Sequence, residues 1–409
     1  MPSRLIHRLI AIVAAASAVL PAASGPAVAE QTADTVDRTS VDQGTLTLPP
    51  LPVRLGDGQP CTKASQKTAT AAPWSRSALG LSRAHQLSEG EGVTVALVDS
   101  GVGTSIPALS GRVTALGGAG TDCPGHGSFA AGLIAAAPEK GIGVLGLAPR
   151  ARILAASGTD DRGAPSVQRV AQGIRDTAKR GAGVIYVSAT LRTGRSELAS
   201  AVKFAASKDA LVIAPAAPDA VPREELGPDG EVPRGPYWPA ALPGVLSVVD
   251  FGPSGVRQQN APPAYRPDLA APGDGMVSVG PRGSGHFIGS GASLAAACAA
   301  GAAALVRAHH PEMTAEQVSR QLLEASYPAA IPRLDPYAAM STVLPASSSR
   351  SALKAAKPPA ARMPAPPDTG PRTWGLAIAG VCLAVVLLVG AAGVVIPRGR
   401  ARGWLPPGR

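Results

Sequence analysis

The sequence predicts an α/β fold: a doubly wound parallel sheet, preceded by an N-terminal arm and followed by one C-terminal transmembrane helix. Three observations predict it. Short β-rich apolar runs recur between Val93 and Val249, with helical patterns between them. Ahead of them, residues 30–72 are polar and proline-bearing. Near the end, Trp374 to Ile396 is an apolar run without a charged residue, long enough to cross a bilayer.

In chain order, the first 29 residues read as a secretory signal peptide. Arg4, His7 and Arg8 form a basic start, Leu9 to Leu20 is apolar, and Ala27-Val28-Ala29 supplies small residues for cleavage. The extension over 30–72 includes Leu48-Pro49-Pro50-Leu51-Pro52, an extended polyproline pattern, and reads as an arm lying on the main domain. The domain over 73–340 then supplies the strands: Val93 to Val98, Arg152 to Ala156, Gly183 to Val187, Ala210 to Ala214 and Val245 to Val249. They are continuous rather than alternating in polarity, the mark of strands covered on both faces. Val167, Val170, Ile174 and Ala178 keep helical spacing, as do Leu198, Val202 and Ala205. Pro218 to Pro236 is charged, aperiodic and rich in Pro and Gly, and reads as a surface loop.

Residues 341–372 form an Ala/Pro-rich linker, 373–396 the membrane helix and 397–409 a basic tail. Arg398, Arg400 and Arg402 follow the span directly, so the positive-inside rule puts the tail in the cytoplasm. Together with the signal peptide, this predicts a single-pass type I protein of the cell membrane, its bulk extracytoplasmic.

The formal charge of +10 is concentrated in the signal segment, linker and tail, leaving residues 30–340 neutral. The basicity therefore belongs to topology, and no nucleic-acid partner is expected. Of the four cysteines, Cys382 lies in the span and Cys298 on a small-residue helix. In an oxidising compartment Cys61 and Cys123 are the natural disulfide pair, with two free thiols as the alternative.

Three stretches carry chemistry. Asp99-Ser100-Gly101 follows a buried strand, where ligands of such sheets gather. Gly125-His126-Gly127 frames a histidine at a helix start. His85 lies in a helical stretch, His286 in a loop and His309-His310 at a helix end, without that framing. Gly291-Ala292-Ser293 opens a long Ala-rich helix, whose free N–H groups favour developing negative charge. Alone, Asp99 reads as a cap and Gly-His-Gly as a turn. Together they supply what acyl transfer needs: a serine nucleophile, an imidazole to take and return its proton, and a carboxylate to orient the imidazole. The order Asp, His, Ser is that of subtilisin-type enzymes.

The chain resembles the subtilisin-family serine proteases, and among them the mycosins, membrane-anchored proteases of type VII secretion systems. The resemblance rests on Val98-Asp99-Ser100-Gly101, Asp122-Cys123-Pro124-Gly125-His126-Gly127-Ser128, Asp268-Leu269-Ala270-Ala271-Pro272-Gly273 and Gly291-Ala292-Ser293-Leu294-Ala295-Ala296. It implies a subtilisin-like fold and serine endopeptidase activity on protein or peptide substrates. Asp99, His126 and Ser293 would be catalytic, a secretion membrane complex the partner, and no cofactor is required; the family admits a structural calcium ion, but no carboxylate cluster in this sequence argues for a metal site. The departures are specific. Ala292 and Ala297 replace the family's usual threonine and proline, and Tyr186-Val187-Ser188 replaces Asn-x-Ser. The asparagine that should face the oxyanion is missing from Leu211 to Asp219. The oxyanion hole is thus expected to consist of the Ser293 backbone and an unidentified side-chain donor. Asp219 is the nearest polar residue: ionised it would repel the charge, and only a protonated Asp219, which needs burial to stay neutral, could donate. Two functions follow: weak or restricted proteolysis, or an impaired pseudoprotease that stabilises a membrane secretion complex.

Overall fold

The computed structural model describes residues 47–221, 225–344 and 370–403. The signal peptide, the start of the arm, most of the linker, three residues of the 218–236 loop and the end of the tail lie outside them.

The described residues from 47 to 343 form one compact unit. It starts with the arm and two short helices, α1 (Trp74–Ala78) and α2 (Leu81–Ala84). The first half of the sheet follows as β1 (Thr94–Asp99), β2 (Val113–Ala115), α3 (His126–Ala135) and β3 (Arg152–Ser157). Next come α4 (Val167–Lys179), β4 (Val184–Val187), α5 (Arg195–Ser207), β5 (Leu211–Pro215), β6 (Val245–Phe251) and β7 (Leu269–Pro272). A hairpin, β8 (Met276–Val279) and β9 (His286–Gly289), leads into α6 (Ala292–His309), α7 (Ala315–Glu324) and α8 (Pro336–Ser341).

The seven strands run parallel in the order β2-β3-β1-β4-β5-β6-β7. The five predicted runs are β1, β3, β4, β5 and β6. Alternation along β1 explains the double winding, because successive side chains point to opposite faces. Val95 and Leu97 pack with α3 and α6 on one face, while Ala96 and Val98 pack with α4 and α5 on the other. The chain goes from β1 outward to β2 and β3, then returns to β4 on the other side of β1. The end of β1 is therefore a topological switch point, where such sheets open a crevice.

Helix α6 crosses β4 to β7 with every residue from Ala292 to Val306 buried. Its alanines allow this close approach. His286 departs from its expected loop position: it lies on β9, 3 % exposed, and its Nδ1 accepts the Ala69 N–H. The arm pairs with the same strand, since Leu51 N–H donates to Ile288 O at 2.8 Å and Ile288 N–H to Pro49 O at 3.0 Å. Cys61 is bonded to Cys123, three residues before His126.

The second unit contains one described helix, α9 (Gly370–Ala401). Within Trp374–Ala401 an 18-residue segment has mean hydropathy 2.8 and none of that segment is buried, making the helix a candidate membrane span. Helix α6 is also long and apolar enough, but 83 % of it is buried, as befits a core helix. The observed helix continues through Pro397 and Arg398, past the predicted end at Ile396.

Candidate active site

Asp99, His126 and Ser293 converge at the carboxyl ends of the strands. Asp99 ends β1, 1 % exposed, and accepts the Ser100 N–H at 2.7 Å. Its oxygens lie 2.8 and 3.0 Å from His126 Nδ1. His126 begins α3 after Gly125, whose φ of 98° is a left-handed conformation that favours glycine. Gly127 serves a close approach, because a Cβ there would stand 2.0 Å from the Gly101 carbonyl oxygen. On the other side of the ring, Nε2 lies 2.9 Å from Ser293 Oγ. Ser293 occupies the first turn of α6 and is 1 % exposed.

A second carboxylate supports this line from behind. Asp122, buried, accepts N–H bonds from Gly125 (2.8 Å) and Ser128 (2.7 Å) and the Ser100 hydroxyl (2.8 Å). Ser100 Oγ in turn accepts the Gly127 N–H at 3.0 Å. The two motifs are thereby tied to each other independently of the catalytic-type contact. Burial pushes the Asp122 carboxyl up, against the pull of its N–H donors. In the sequence this residue was only part of a motif. Its position ahead of a helix start was the available signal.

The oxyanion side is different. The chain leaves β5 and brings Asp219 against Ser293, with its side chain 6 % exposed. The Ser293 N–H, the expected backbone donor, gives its hydrogen bond to Asp219 Oδ1 at 2.9 Å. The Ser293 hydroxyl donates to Asp219 Oδ2. Asp219 Oδ2 also stands 3.5 Å from His126 Nε2. Gly291 makes room for the carboxylate, since a Cβ there would lie 2.2 Å from Asp219 Cγ. A carboxyl oxygen of Asp219 thus occupies this backbone donor.

Two carboxylates now flank one imidazole. Burial alone would lower the His126 pKa, but the charges and hydrogen bonds of Asp99 and Asp219 outweigh it and hold the imidazole well above its ordinary value. Beneath them, Tyr186 on β4 is fully buried and its hydroxyl has no hydrogen-bond partner among the described residues. Burial, then the charges of Asp99 and Asp219, push its phenol well up, so it stays neutral.

The site opens into a cleft of about 510 Å³, walled by Ser188–Thr193 after β4, Thr159, Gly163 and Pro165 after β3, and Pro218 and Asp219. Val53 and Arg54 of the arm line the same cleft. Leu55 N–H holds this part of the arm to Arg162 O at 2.9 Å. A serine and imidazole in hydrogen-bond contact beside such a cleft can perform nucleophilic acyl transfer.

Residues 90–351 match the Subtilase family of peptidases. Mycosin-3 of Mycobacterium tuberculosis is 33 % identical over 80 % of this chain and 84 % of its own. The chain belongs to the subtilase family, as a mycosin-type serine endopeptidase. Among solved structures, the MycP3 protease from the type VII (ESX-3) secretion system superposes with TM-score 0.59 at 30 % identity, covering 72 % of this chain and 97 % of that one. A chain of the periplasmic assembly from the ESX-5 inner membrane complex superposes with TM-score 0.61 at 25 % identity, covering 75 % and 92 %. In this mycosin-type chain Asp99, His126 and Ser293 form a hydrogen-bonded line, while Asp219 takes the Ser293 N–H.

Proposed function

We propose that this chain is a membrane-anchored endopeptidase of a type VII secretion system, with Ser293 as nucleophile, His126 as general base and then acid, and Asp99 orienting the imidazole. One observation carries the reading: the hydrogen-bonded line from Asp99 through His126 Nδ1 and Nε2 to Ser293 Oγ. Attack by Oγ on a peptide carbonyl passes the hydroxyl proton to Nε2, which later gives it to the leaving amine. Residues 1–29 would be removed as the signal peptide, and residues 341–372 would tether the peptidase domain to a span ending in a cytoplasmic basic tail. The domain would then stand outside the cytoplasmic membrane. The likeness to the ESX-3 protease and the ESX-5 assembly supports a secretion membrane complex as its partner.

Proteolysis is expected to be slow, because Asp219 takes the Ser293 N–H. The same contact favours the second reading, a scaffold whose fold stabilises the complex. A fluorophosphonate probe separates the two. Covalent labelling of the full-length chain, lost in Ser293→Ala, is the outcome expected of an endopeptidase. A folded wild type without label supports the scaffold.

A further inference from the structure

The contacts of Asp219 carry an inference that rests on the endopeptidase reading and deepens it. Three atoms stand close together: Ser293 Oγ lies 2.9 Å from His126 Nε2 and donates to Asp219 Oδ2, which itself stands 3.5 Å from Nε2. With His126 charged, Nδ1–H donates to Asp99 and Nε2–H to Ser293 Oγ. The serine hydroxyl then donates to Asp219, as the contact requires. In this resting arrangement the serine proton points away from its base, and an anion fills the oxyanion site.

We infer that Asp219 is the missing oxyanion donor, acting in its protonated form, and that it shares a single proton with His126. Two protons shift through the Ser293 hydroxyl. Ser293 passes its hydroxyl proton to Asp219 Oδ2 while receiving the proton of His126 Nε2. Nothing is gained or lost: the serine is again a neutral hydroxyl, His126 is neutral and Asp219 is a carboxylic acid. The serine O–H now points at Nε2. A protonated carboxyl donates where a carboxylate only accepts. The oxygen of the scissile carbonyl displaces Oδ1 from the Ser293 N–H. The Oγ–C bond forms as the serine proton moves to Nε2, and the carbonyl π pair passes to oxygen. That oxygen receives the Ser293 N–H and the Asp219 O–H. When the C–N bond breaks, the Nε2 proton leaves with the amine, and Asp219 keeps its own proton throughout.

The groups facing this pair come from every element around it. Asp99 from β1 holds Nδ1, the neutral Tyr186 lies beneath on β4, and Ser293 on α6 forms the relay. Arg192, Glu225 and the arm's Arg54 line the cleft outside. Gly291 leaves the carboxylate the space it occupies.

The arrangement makes activity depend on one proton. A second proton on the pair removes the base. Loss of the only proton leaves a carboxylate opposing the developing oxyanion. The rate therefore rises and falls with pH, and both limbs belong to the pair rather than to either residue. An asparagine at 219 donates at every pH, so only the rise remains.

The test is the second-order rate of fluorophosphonate labelling of full-length protein in detergent, against pH, for wild type, Asp219→Asn and Asp219→Ala. Circular dichroism at each pH checks the fold. The expected wild-type profile is a bell. Asp219→Asn gives a single rise to a plateau, displaced to lower pH because one flanking charge is gone. Its plateau lies about 10²-fold or more above the wild-type maximum, and Asp219→Ala rises once to a plateau lower by a similar factor. A wild-type profile that rises once and stays flat overturns the shared proton and leaves the endopeptidase reading standing. So does an alkaline fall that survives in both folded variants. If Asp219→Asn does not fold, Asp219→Ala and the wild-type shape still decide. No labelling of any folded protein at any pH overturns the endopeptidase reading and this inference with it.

Discussion

The two sides of Ser293 differ in how they are built. On the His126 side every polar group serves the next: Asp122 holds Ser100 and the start of α3, and Asp99 holds Nδ1. On the Asp219 side an acceptor stands where a donor belongs, on a backbone N–H that should be free. The difference teaches that a complete proton relay and a complete site are separate things. The relay moves a proton between groups that are all present, whereas the oxyanion pocket must stabilise a charge not yet formed. A carboxylate there stabilises the imidazolium of the resting site instead.

The largest expected effect breaks the intact side. Asp99→Asn removes the charge that fixes the imidazole tautomer, and labelling should fall about 10⁴-fold relative to the parent. It is best measured in the Asp219→Asn background, where the parent rate is high. A fall of only a few-fold there would mean that a group other than Asp99 orients His126.

Removing the staple beside the intact side should come next. Cys61 and Cys123 are 62 residues apart, and the chain-entropy account gives such a closure about 4 kcal/mol. Cys61→Ser should lower stability by up to that amount in denaturant unfolding and expose the arm around Val53 and Arg54 to added protease. Labelling of Ser293 in the folded fraction should persist, since the bridge touches none of the three residues.

Asp122→Asn tests what holds α3. One amide oxygen cannot replace two carboxylate oxygens serving two N–H groups and a hydroxyl, so a loss of about 2–3 kcal/mol is expected in the same unfolding assay. A neutral result would mean that Ser100 and Gly125 find other partners.

The smallest effect is in pH-dependent stability. His126 binds its proton more tightly when folded, because Asp99 and Asp219 outweigh its burial. Its contribution is therefore full below the unfolded value of about 6.5 and is lost as pH rises through the higher folded value. Melting temperature should decline across that alkaline window in the wild type. The decline should be shallower in Asp219→Asn and absent in His126→Ala. An identical decline in all three would assign it to other groups.

What the sequence made legible follows the same division. Buried strands such as Val184–Val187 are continuous apolar runs and can be read directly, as can a histidine between glycines. β2 has three residues and β7 reads Leu-Ala-Ala-Pro, too short or too poor in β-branched residues to register. The β8–β9 hairpin hides its apolar face between glycines, which is why His286 read as loop. At the site, the absence of asparagine near Asp219 was visible, and so was the repulsion an ionised Asp219 would cause. Its hydrogen bonds to Ser293 were not, because they join residues 74 apart through the packing of Gly291. The burial of Tyr186 without a partner is likewise a property of the assembled sheet.

The central claim, that the Asp219 carboxylate is what separates this site from an efficient one, is tested most directly by comparing fluorophosphonate labelling of wild type and Asp219→Asn at neutral pH. The account predicts that Asp219→Asn labels faster by about 10²-fold or more, with the label on Ser293. Equal or slower labelling of the folded variant would contradict it.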